Sequence, residues 1–319
     1  MGLARRRTTV EKELQENHAY ISWEQAVEQF LDNLKFRGLS YHTRRWHKEN
    51  LQAVHKALKA MGMTTLPHMV TEGMLKQVIL QMVDTGLSPV TINHRVRSLK
   101  QFYRYLQGEA LVTGNPADKL ERKKPGRTIV ETFTEEQLTA LLAAPDKTRF
   151  VGLWDYTIML LLLDTGIRLT ELVGIKLTDL KLPANELIIT HAKGGKQRRV
   201  FVSHKTAQAL KKYLHVRGDI PGNLSLFVST EDKPMTRRNV QERLAIYGRM
   251  AKIEGVRVSP HTFRHTFAKM YIMRGGDPFS LQSLLGHSTL DMVRYYVNLW
   301  GSDLQKMHRM YSPVNHLLK

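Results

Sequence analysis

The stretch SPHTFRHTFAK, residues 259–269, places two histidines and an arginine within five positions of a predicted helix. Its opening Ser-Pro pair is typical of a helix start, where proline is tolerated because the first turn has no N–H partner to lose. The helical period puts positions i, i+3 and i+4 on one face, so His261, Arg264 and His265 line up. Such a face suits a metal ion, a phosphate group or plain solvent, and this stretch alone leaves all three open.

The composition indicates a folded and strongly basic protein. The chain has 319 residues, enough for two domains, and 42% of them are hydrophobic. Its 48 lysines and arginines against 29 acidic residues give a formal net charge of +19, spread over the whole chain. Charge of this size is typical of proteins that bind nucleic acid or a membrane surface. No helical pattern pairs a basic face with a strongly apolar one, so nucleic acid is favoured.

Several other classes are disfavoured by what the sequence lacks. Without cysteine, a disulfide, a thiolate metal site and a cysteine nucleophile are excluded. The longest apolar run, around residues 158–163, is too short to span a bilayer, and the N-terminus lacks the apolar middle of a signal peptide. We therefore expect a cytoplasmic protein with no membrane partner.

Residues 19–112 predict a small helical domain that follows an N-terminal tail, 1–18. The fourth helix of this domain starts at a Ser-Pro cap and is basic except along one apolar stripe, formed by Ile92, Val96, Leu99 and Tyr103. The helices are expected at about 22–38, 39–62, 73–83 and 88–106.

A basic, Gly- and Pro-containing stretch, 113–133, predicts an interdomain linker, and a second domain covers 134–319. This domain opens with a capping pattern at Thr134, and a buried helix then stops at Gly166. Residues 185–202 predict a β-hairpin that turns at Gly194-Gly195. Further helices are expected from about 168 and at about 237–252, 260–273, 278–285 and 289–299. The predicted fold class is mainly α with a small β-sheet.

The metal interpretation of residues 259–269 is the weakest of the three. His261 and His265 have the i, i+4 spacing of zinc helices, but Thr262 stands where zinc proteases need glutamate. Arg264 between the two histidines would also repel a cation.

The anion interpretation is stronger because similar groups recur along the chain. Arg168 stands at a predicted helix start, where exposed N–H groups favour an anion. Lys193 lies beside the glycine turn of the hairpin, and His287 follows Gly286 at a helix end.

Taken together, these motifs resemble the tyrosine recombinase family, the phage-integrase and Xer type of site-specific recombinase. The resemblance covers nearly the entire chain, with motifs in the order and spacing of the family. They are LSPVTINHRVRSLKQFYRYL (87–106), NPA (115–117), TGIRLTEL (165–172), AKGGKQRRV (192–200), HTFRHTFA (261–268) and LLGHSTLDMVRYY (284–296).

The resemblance implies a helical, SAM-like core-binding domain followed by a catalytic domain with a known set of site residues. Arg168 and Arg264 would hold the scissile phosphate, and Glu171 would support the site. The nucleophilic tyrosine lies nine positions after the second histidine of the family, which selects Tyr296 rather than Tyr295. The implied catalytic set is Arg168, Lys193, His261, Arg264, His287 and Tyr296.

His265 falls on a position that is commonly histidine in the family but lies outside this set, so a structural role is expected for it. Candidate DNA-binding residues are basic side chains of the fourth helix, the linker and a later helix start. They are Arg95, Arg97, Lys100, Arg104, Lys123, Lys124, Arg237 and Arg238.

The function implied is cleavage and rejoining of DNA through a 3′-phosphotyrosyl intermediate and a Holliday junction, for integration, excision or resolution, without metal, ATP or another cofactor. The implied partners are a double-stranded recombination site, further copies of the chain in a tetramer docked through the C-terminal segment, and accessory proteins. The setting would be the nucleoid of a prokaryote, or a phage or other mobile element. A type IB topoisomerase and a non-catalytic DNA-binding regulator remain as alternatives.

Overall fold

The computed structural model describes residues 21–124, 130–190 and 197–286, together with residues 293, 294, 296, 297, 308, 312 and 314. The chain separates into two compact units, Met1–Thr128 and Ile129–Lys319, which are described one after the other. Within the described residues, no helix is both long enough and apolar enough to cross a membrane.

The described part of the N-terminal unit is helical, as predicted. Each helix begins after a serine or threonine whose side chain accepts a hydrogen bond from a backbone N–H of the first turn. These caps are local signals, which is why the predicted starts agree with the structure. The helices are α1 (Trp23–Phe36), α2 (Tyr41–Ala60), α3 (Glu72–Asp84) and α4 (Pro89–Gly108).

Aromatic rings form the centre of this unit. The ring centroids of Trp23 and Phe102 lie 5.2 Å apart, and those of Phe30 and Phe102 lie 5.8 Å apart. Ala117 and Leu120, from the stretch after α4, are buried in the same core. The predicted apolar stripe of α4 also faces inward, so the basic residues of this helix lie toward the outside.

The C-terminal unit, Ile129–Lys319, combines helices with a small antiparallel sheet of order β1-β2-β3. The strands are β1 (Leu180–Lys181), β2 (Glu186–Ile189) and β3 (Arg198–Phe201). The described helices are α5 (Glu135–Ala143), α6 (Phe150–Thr165), α7 (Leu169–Gly174), α8 (His204–Arg217), α9 (Arg237–Met250), α10 (Pro260–Met273) and α11 (Pro278–Leu285).

The predicted hairpin is confirmed as the pairing of β2 with β3, in which Glu186 faces Phe201 and Ile189 faces Arg198. Its Gly194-Gly195 turn lies outside the described residues, as does most of the helix predicted at 289–299. Helix α8 was not predicted from the sequence. Ala207, Leu210 and Tyr213 of this helix are buried at three-residue spacing, and the basic residues between them mask that period.

Helix α6 supplies much of the core of the C-terminal unit. Ile158, Met159 and Leu161 are at most 2% exposed, and the helix packs against both α8 and α10. It ends at Gly166, whose φ of 60° lies in the left-handed region that favours glycine. The next helix, α7, starts three residues later at Leu169, so Arg168 lies in the short connection between α6 and α7.

Gly166 also has no room for a side chain. An added Cβ would lie 2.5 Å from Cδ1 of Phe267 and 2.8 Å from Cδ2 of Leu285. We expect Gly166→Ala to lower the free energy of unfolding by about 2–4 kcal/mol, the sum of backbone strain and overpacking. Chemical denaturation measures this loss.

Gly255→Ala is the matched control, because Gly255 has a φ of 73° and nothing within 4 Å of an added Cβ. Backbone strain alone predicts a loss of about 1 kcal/mol for this variant. Equal losses in the two variants would mean that Phe267 and Leu285 give way to the new methyl group.

Candidate active site

Arg168 stands immediately before α7, at the predicted anion-binding helix start. Its backbone N–H donates to Oε2 of Glu171 at 2.8 Å, and its Nη1 donates to Oε1 of the same carboxylate at 3.0 Å. Nη1 also donates to the carbonyl of Leu285 at 3.3 Å, and Nη2 donates to the carbonyl of Gly286 at 3.1 Å. The guanidinium therefore bridges the start of α7 and the end of α11, while 26% of the side chain stays exposed.

Arg264 reaches the same place from α10 and is only 6% exposed. Its Nη1 donates to the carbonyl of Gly166 at 2.6 Å, and its Nη2 donates to the carbonyl of Leu285 at 2.8 Å. Arg168 and Arg264 thus share the Leu285 carbonyl. Burial and the neighbouring charge of Arg168 lower the pKa of Arg264 to about 10, so its guanidinium remains charged at neutral pH.

Glu171 is the acidic group of this cluster, and it is 2% exposed. Burial acts to raise its pKa, but hydrogen bonds from Arg198 and Arg168 outweigh burial and leave the pKa below the ordinary value. The carboxylate is therefore ionised at neutral pH, and its negative charge holds the guanidiniums of Arg198 and Arg168.

Arg198, which was not predicted from the sequence, lies in the same cluster. Nη1 and Nη2 of Arg198 donate to Oε1 and Oε2 of Glu171 at 2.8 and 2.7 Å, a bidentate pair. Its Nε donates to the carbonyl of Leu284 at 2.8 Å. One signal pointed to it: strand alternation puts Arg198 on the same face of β3 as the buried Val200.

The remaining predicted catalytic residues are only partly accounted for. His261 is exposed at the start of α10, one turn before Arg264. Lys193 and His287 lie outside the described residues, as does Tyr295. In the described part of the chain, no group of three or more histidine, aspartate or glutamate side chains is arranged to hold a metal ion.

Tyr296 lies deep in the C-terminal unit, with 1% of its surface exposed. Its ring belongs to an apolar cluster with Ala268 and Ile272 of α10 and with Leu281 and Leu285 of α11. Arg264 lies close enough for the tyrosine to influence its pKa. The predicted nucleophile and one predicted phosphate-binding arginine are therefore neighbours.

The hydroxyl of Tyr296 is in contact with His265, a residue expected to be structural. The distance between Nδ1 of His265 and Oη of Tyr296 is 2.7 Å, well within hydrogen-bond range. Burial lowers the pKa of His265, and the charges of His261 and Arg264 lower it further, so the imidazole is neutral at pH 7.

The candidate DNA-binding residues differ in how they are held. On α4, Arg97 and Arg104 are exposed, whereas Arg95 and Lys100 are half-buried. The guanidinium carbon of Arg97 lies 5.8 Å from the centre of the Trp46 ring, within cation–π range. Nζ of Lys100 donates to the carbonyl of Asp118 at 2.8 Å and so ties α4 to the following segment.

The other candidates lie at the surface of their own unit. Lys123 and Lys124 are exposed, and the backbone of Lys123 is paired with the side chain of Asn93 on α4. Arg237 and Arg238 are exposed at the start of α9, where Nε of Arg238 lies 2.7 Å from Oε1 of Glu242.

Positive charge is in excess at the cluster, because the guanidiniums of Arg168, Arg198 and Arg264 face the single carboxylate of Glu171. Guanidinium groups match phosphate in shape and charge. The cluster can therefore hold a phosphate group, and Tyr296 shares an apolar cluster with Leu285, whose carbonyl binds two of the guanidiniums.

Comparisons with known proteins agree with this chemistry. A family model described as "Phage integrase family" matches residues 131–300, and one described as "Phage integrase, N-terminal SAM-like domain" matches residues 27–110. The tyrosine recombinase XerC of Thermodesulfovibrio yellowstonii is 32% identical over 302 residues, which cover 92% of this chain and 97% of XerC.

Solved structures show the same fold. The XerH site-specific recombinase, bound to a palindromic difH substrate in a post-cleavage complex, superposes with a TM-score of 0.72 at 20% identity, over 96% of this chain and 89% of that one. A lambda integrase from a tetramer bound to a Holliday junction superposes with a TM-score of 0.70 at 18% identity, over 88% of this chain and 82% of that one.

The chain belongs to the phage integrase family, because the model of that family matches more than half of its length. It is a tyrosine recombinase, an enzyme that cleaves and rejoins DNA, and its function is site-specific recombination. The predicted fold, a SAM-like helical domain followed by a mainly helical catalytic domain with a small sheet, is confirmed. The relatives favour neither the topoisomerase nor the regulator alternative.

Arg198 should be essential to the stability of the site. Arg198→Met leaves Glu171 buried with less positive charge beside it, and losing one partner of a buried ion pair costs about 3 kcal/mol or more. We expect a loss of this size in the free energy of unfolding at pH 7, measured by denaturant titration. Arg199→Met is the control, since 74% of the Arg199 side chain is exposed, and should cost less than about 1 kcal/mol.

The loss of unfolding free energy caused by Arg198→Met should become smaller as the pH falls. The folded-state pKa of Glu171 is depressed, so the stability that its ion pairs provide is fully present above the ordinary value of 4.5 and is lost as the pH falls through the folded-state pKa. The gap between wild type and Arg198→Met should therefore narrow in acid. A gap that stays constant down to pH 3 would argue against the Glu171 pair as its cause.

Proposed function

We propose that the chain recombines DNA through a covalent intermediate in which Tyr296 is joined to the 3′ phosphate of a cleaved strand. One observation carries the proposal: the guanidiniums of Arg168 and Arg264 both donate to the Leu285 carbonyl, and Leu285 belongs to the same buried apolar cluster as Tyr296. In this proposal the two arginines hold the scissile phosphate, and Glu171 holds Arg168.

Electrostatics explains the choice of side chains. Phosphodiester transfer places negative charge on the nonbridging oxygens in the transition state, and a preorganised pair of guanidiniums stabilises that charge. The pKa of Arg264, about 10, keeps the second guanidinium charged at neutral pH despite its burial. A metal ion is therefore not required to neutralise the phosphate.

The other catalytic residues complete the reaction. Lys193 donates a proton to the leaving 5′ oxygen as general acid, and His261 and His287 contact the phosphate. The phosphotyrosyl bond conserves the energy of the broken linkage, so rejoining needs no ATP. Attack by the 5′ hydroxyl of a partner strand yields a Holliday junction, and a second round of exchange resolves it.

The proposed partners are double-stranded recombination sites and further copies of the chain. A tetramer is supported by the lambda integrase tetramer on a Holliday junction, which shares this fold. We propose that the segment from about residue 303 docks on a neighbouring subunit and that basic residues such as Arg97 and Arg237 contact the DNA backbone. Accessory proteins would select among integration, excision and resolution. The reaction would take place in the cytoplasm, on nucleoid, phage or mobile-element DNA.

The proposal is tested with a substrate taken from the protein's own locus. Footprinting of the purified protein on that DNA defines the site, and a nicked suicide substrate then traps the covalent adduct. Recombined product from two intact sites separates a recombinase from a topoisomerase. Binding without any adduct would separate a regulator from both.

The two adjacent tyrosines should differ sharply in this assay. Tyr296→Phe removes only a hydroxyl, so DNA affinity should be retained while adduct formation is lost. Tyr295→Phe is the matched control and should still form the adduct. Mass spectrometry of the trimmed adduct should place a 3′-phosphonucleotide on the peptide with Tyr296. An adduct on Tyr295, or on a 5′ phosphate, would overturn the assignment and the polarity of the mechanism.

Lys193 should be needed for proton donation rather than for binding. We expect Lys193→Ala to slow cleavage by about 10²–10⁴-fold, the usual contribution of a general acid, with DNA affinity retained. A 5′-bridging phosphorothiolate, whose sulfur leaves without a proton, should restore much of the single-turnover rate. If the defect were equally large on both substrates, Lys193 would not be the general acid.

A further inference from the structure

A short contact joins the imidazole of His265 to the hydroxyl of Tyr296. His265 lies on α10 next to Arg264 in sequence, and its Nδ1 is 2.7 Å from the tyrosine hydroxyl oxygen. The two rings have centroids 5.8 Å apart and are inclined by 63°, so the imidazole approaches edge-on with a nitrogen toward the hydroxyl. This geometry suits a hydrogen bond rather than ring stacking.

The ring of Tyr296 lies in apolar surroundings, with its hydroxyl beside that nitrogen. The ring shares a buried apolar cluster with Ala268 and Ile272 of α10 and with Leu281 and Leu285 of α11, and Tyr296 is 1% exposed. A buried hydroxyl needs a hydrogen-bond partner to offset its loss of water. A neutral imidazole with its proton on Nε2 provides one, because Nδ1 then accepts the tyrosine O–H.

Charge near His265 explains why this pair would stay inactive without DNA. Burial lowers the pKa of His265, and the neighbouring His261 and Arg264 on the same helix lower it further. Arg168 and Arg198 add positive charge around Arg264. A phosphate bound between the guanidiniums would offset that charge and make protonation of His265 more favourable.

We propose that His265 is the base that receives the proton of Tyr296 when the tyrosine attacks DNA. The inference rests on the proposed function of Tyr296 and deepens it by naming the proton acceptor. The bond between Oη and phosphorus forms, and the bond between phosphorus and the 5′ oxygen breaks with its electron pair on that oxygen. The tyrosine proton moves to Nδ1 of His265, and the 5′ oxygen receives a proton from the general acid. On rejoining, the imidazolium returns its proton to Oη.

A pair of variants separates proton transfer from mere packing. His265→Asn keeps an oxygen near the position of Nδ1 that can accept the hydrogen bond but cannot take up the proton. We expect its single-turnover rate of adduct formation to fall by about 10²–10⁴-fold, the range for loss of a general base, with DNA affinity unchanged. His215→Asn, on an exposed position of α8, is the control and should react as wild type does.

The decisive experiment repeats the comparison of wild type and His265→Asn with 3,5-difluorotyrosine in place of Tyr296. The phenol of this residue ionises more readily and depends less on a base. The defect caused by His265→Asn should then shrink at least tenfold. An Asn variant that cleaves at the wild-type rate overturns the inference. A defect of the same size with both tyrosines also overturns it, since His265 would then only position the hydroxyl.

A measurement on the wild-type chain covers the case in which the Asn variant does not fold. Nitrogen NMR of labelled histidine should show Nδ1 of His265 unprotonated and hydrogen-bonded, with a shift that changes in Tyr296→Phe. A protonated Nδ1 in the DNA-free protein overturns the inference. Failure of the proposed function has a different signature, because wild-type protein would then form no adduct on Tyr296.

Discussion

The C-terminal turn of α11 gathers the charged groups on which the site depends. The last carbonyls of a helix have no partner within it and carry partial negative charge. Here the carbonyl of Leu284 accepts a hydrogen bond from Arg198, that of Leu285 accepts from both Arg168 and Arg264, and that of Gly286 accepts from Arg168. Gly286 ends the helix with a φ of 64°, and its lack of a side chain lets Arg198 approach closely.

These contacts tie together elements that are far apart in sequence. Arg168 comes from the start of α7, Arg198 from β3 and Arg264 from α10, so one helix end joins the sheet to two helices. The carbonyl of Gly166 holds Arg264 from the opposite side. A change at any of these positions therefore acts on the whole cluster, and this explains why the glycine at the end of α6 belongs to the site as much as to the core.

Among the described residues of the cluster, the negative charge does not fully neutralise the three guanidiniums. Glu171 balances one of the guanidiniums, and the helix carbonyls offset part of the remaining charge. The lowered pKa of Arg264 reflects burial and repulsion that a bound phosphate would relieve. The same charge disfavours protonation of His265 beside the hydroxyl of Tyr296. The same positive charge would thus bind the substrate phosphate and, once that phosphate offsets it, let His265 accept the proton of Tyr296.

Much of the fold and of the site follows from local sequence signals. Helix starts at Ser22, Ser88 and Thr134 are fixed by caps whose hydrogen bonds span three residues, so a short window contains them. The inward face of α4 follows from the helical period. The resemblance of the motifs to those of the family, in order and spacing, also selects Arg168, Arg264 and Tyr296 as candidate site residues. Helix α8 was not predicted because basic residues interrupt its apolar period.

What sequence alone determined was therefore the class of protein, the helices with strong caps and the positions expected to carry the chemistry. Tertiary structure decided which side chains meet. Arg198 and Glu171 are 27 residues apart, and His265 and Tyr296 are 31 residues apart, so no local pattern records either contact. Both arise because packing of α10, α11 and β3 on a shared core brings their polar ends to one place, and burial there requires every charge and hydroxyl to find a partner.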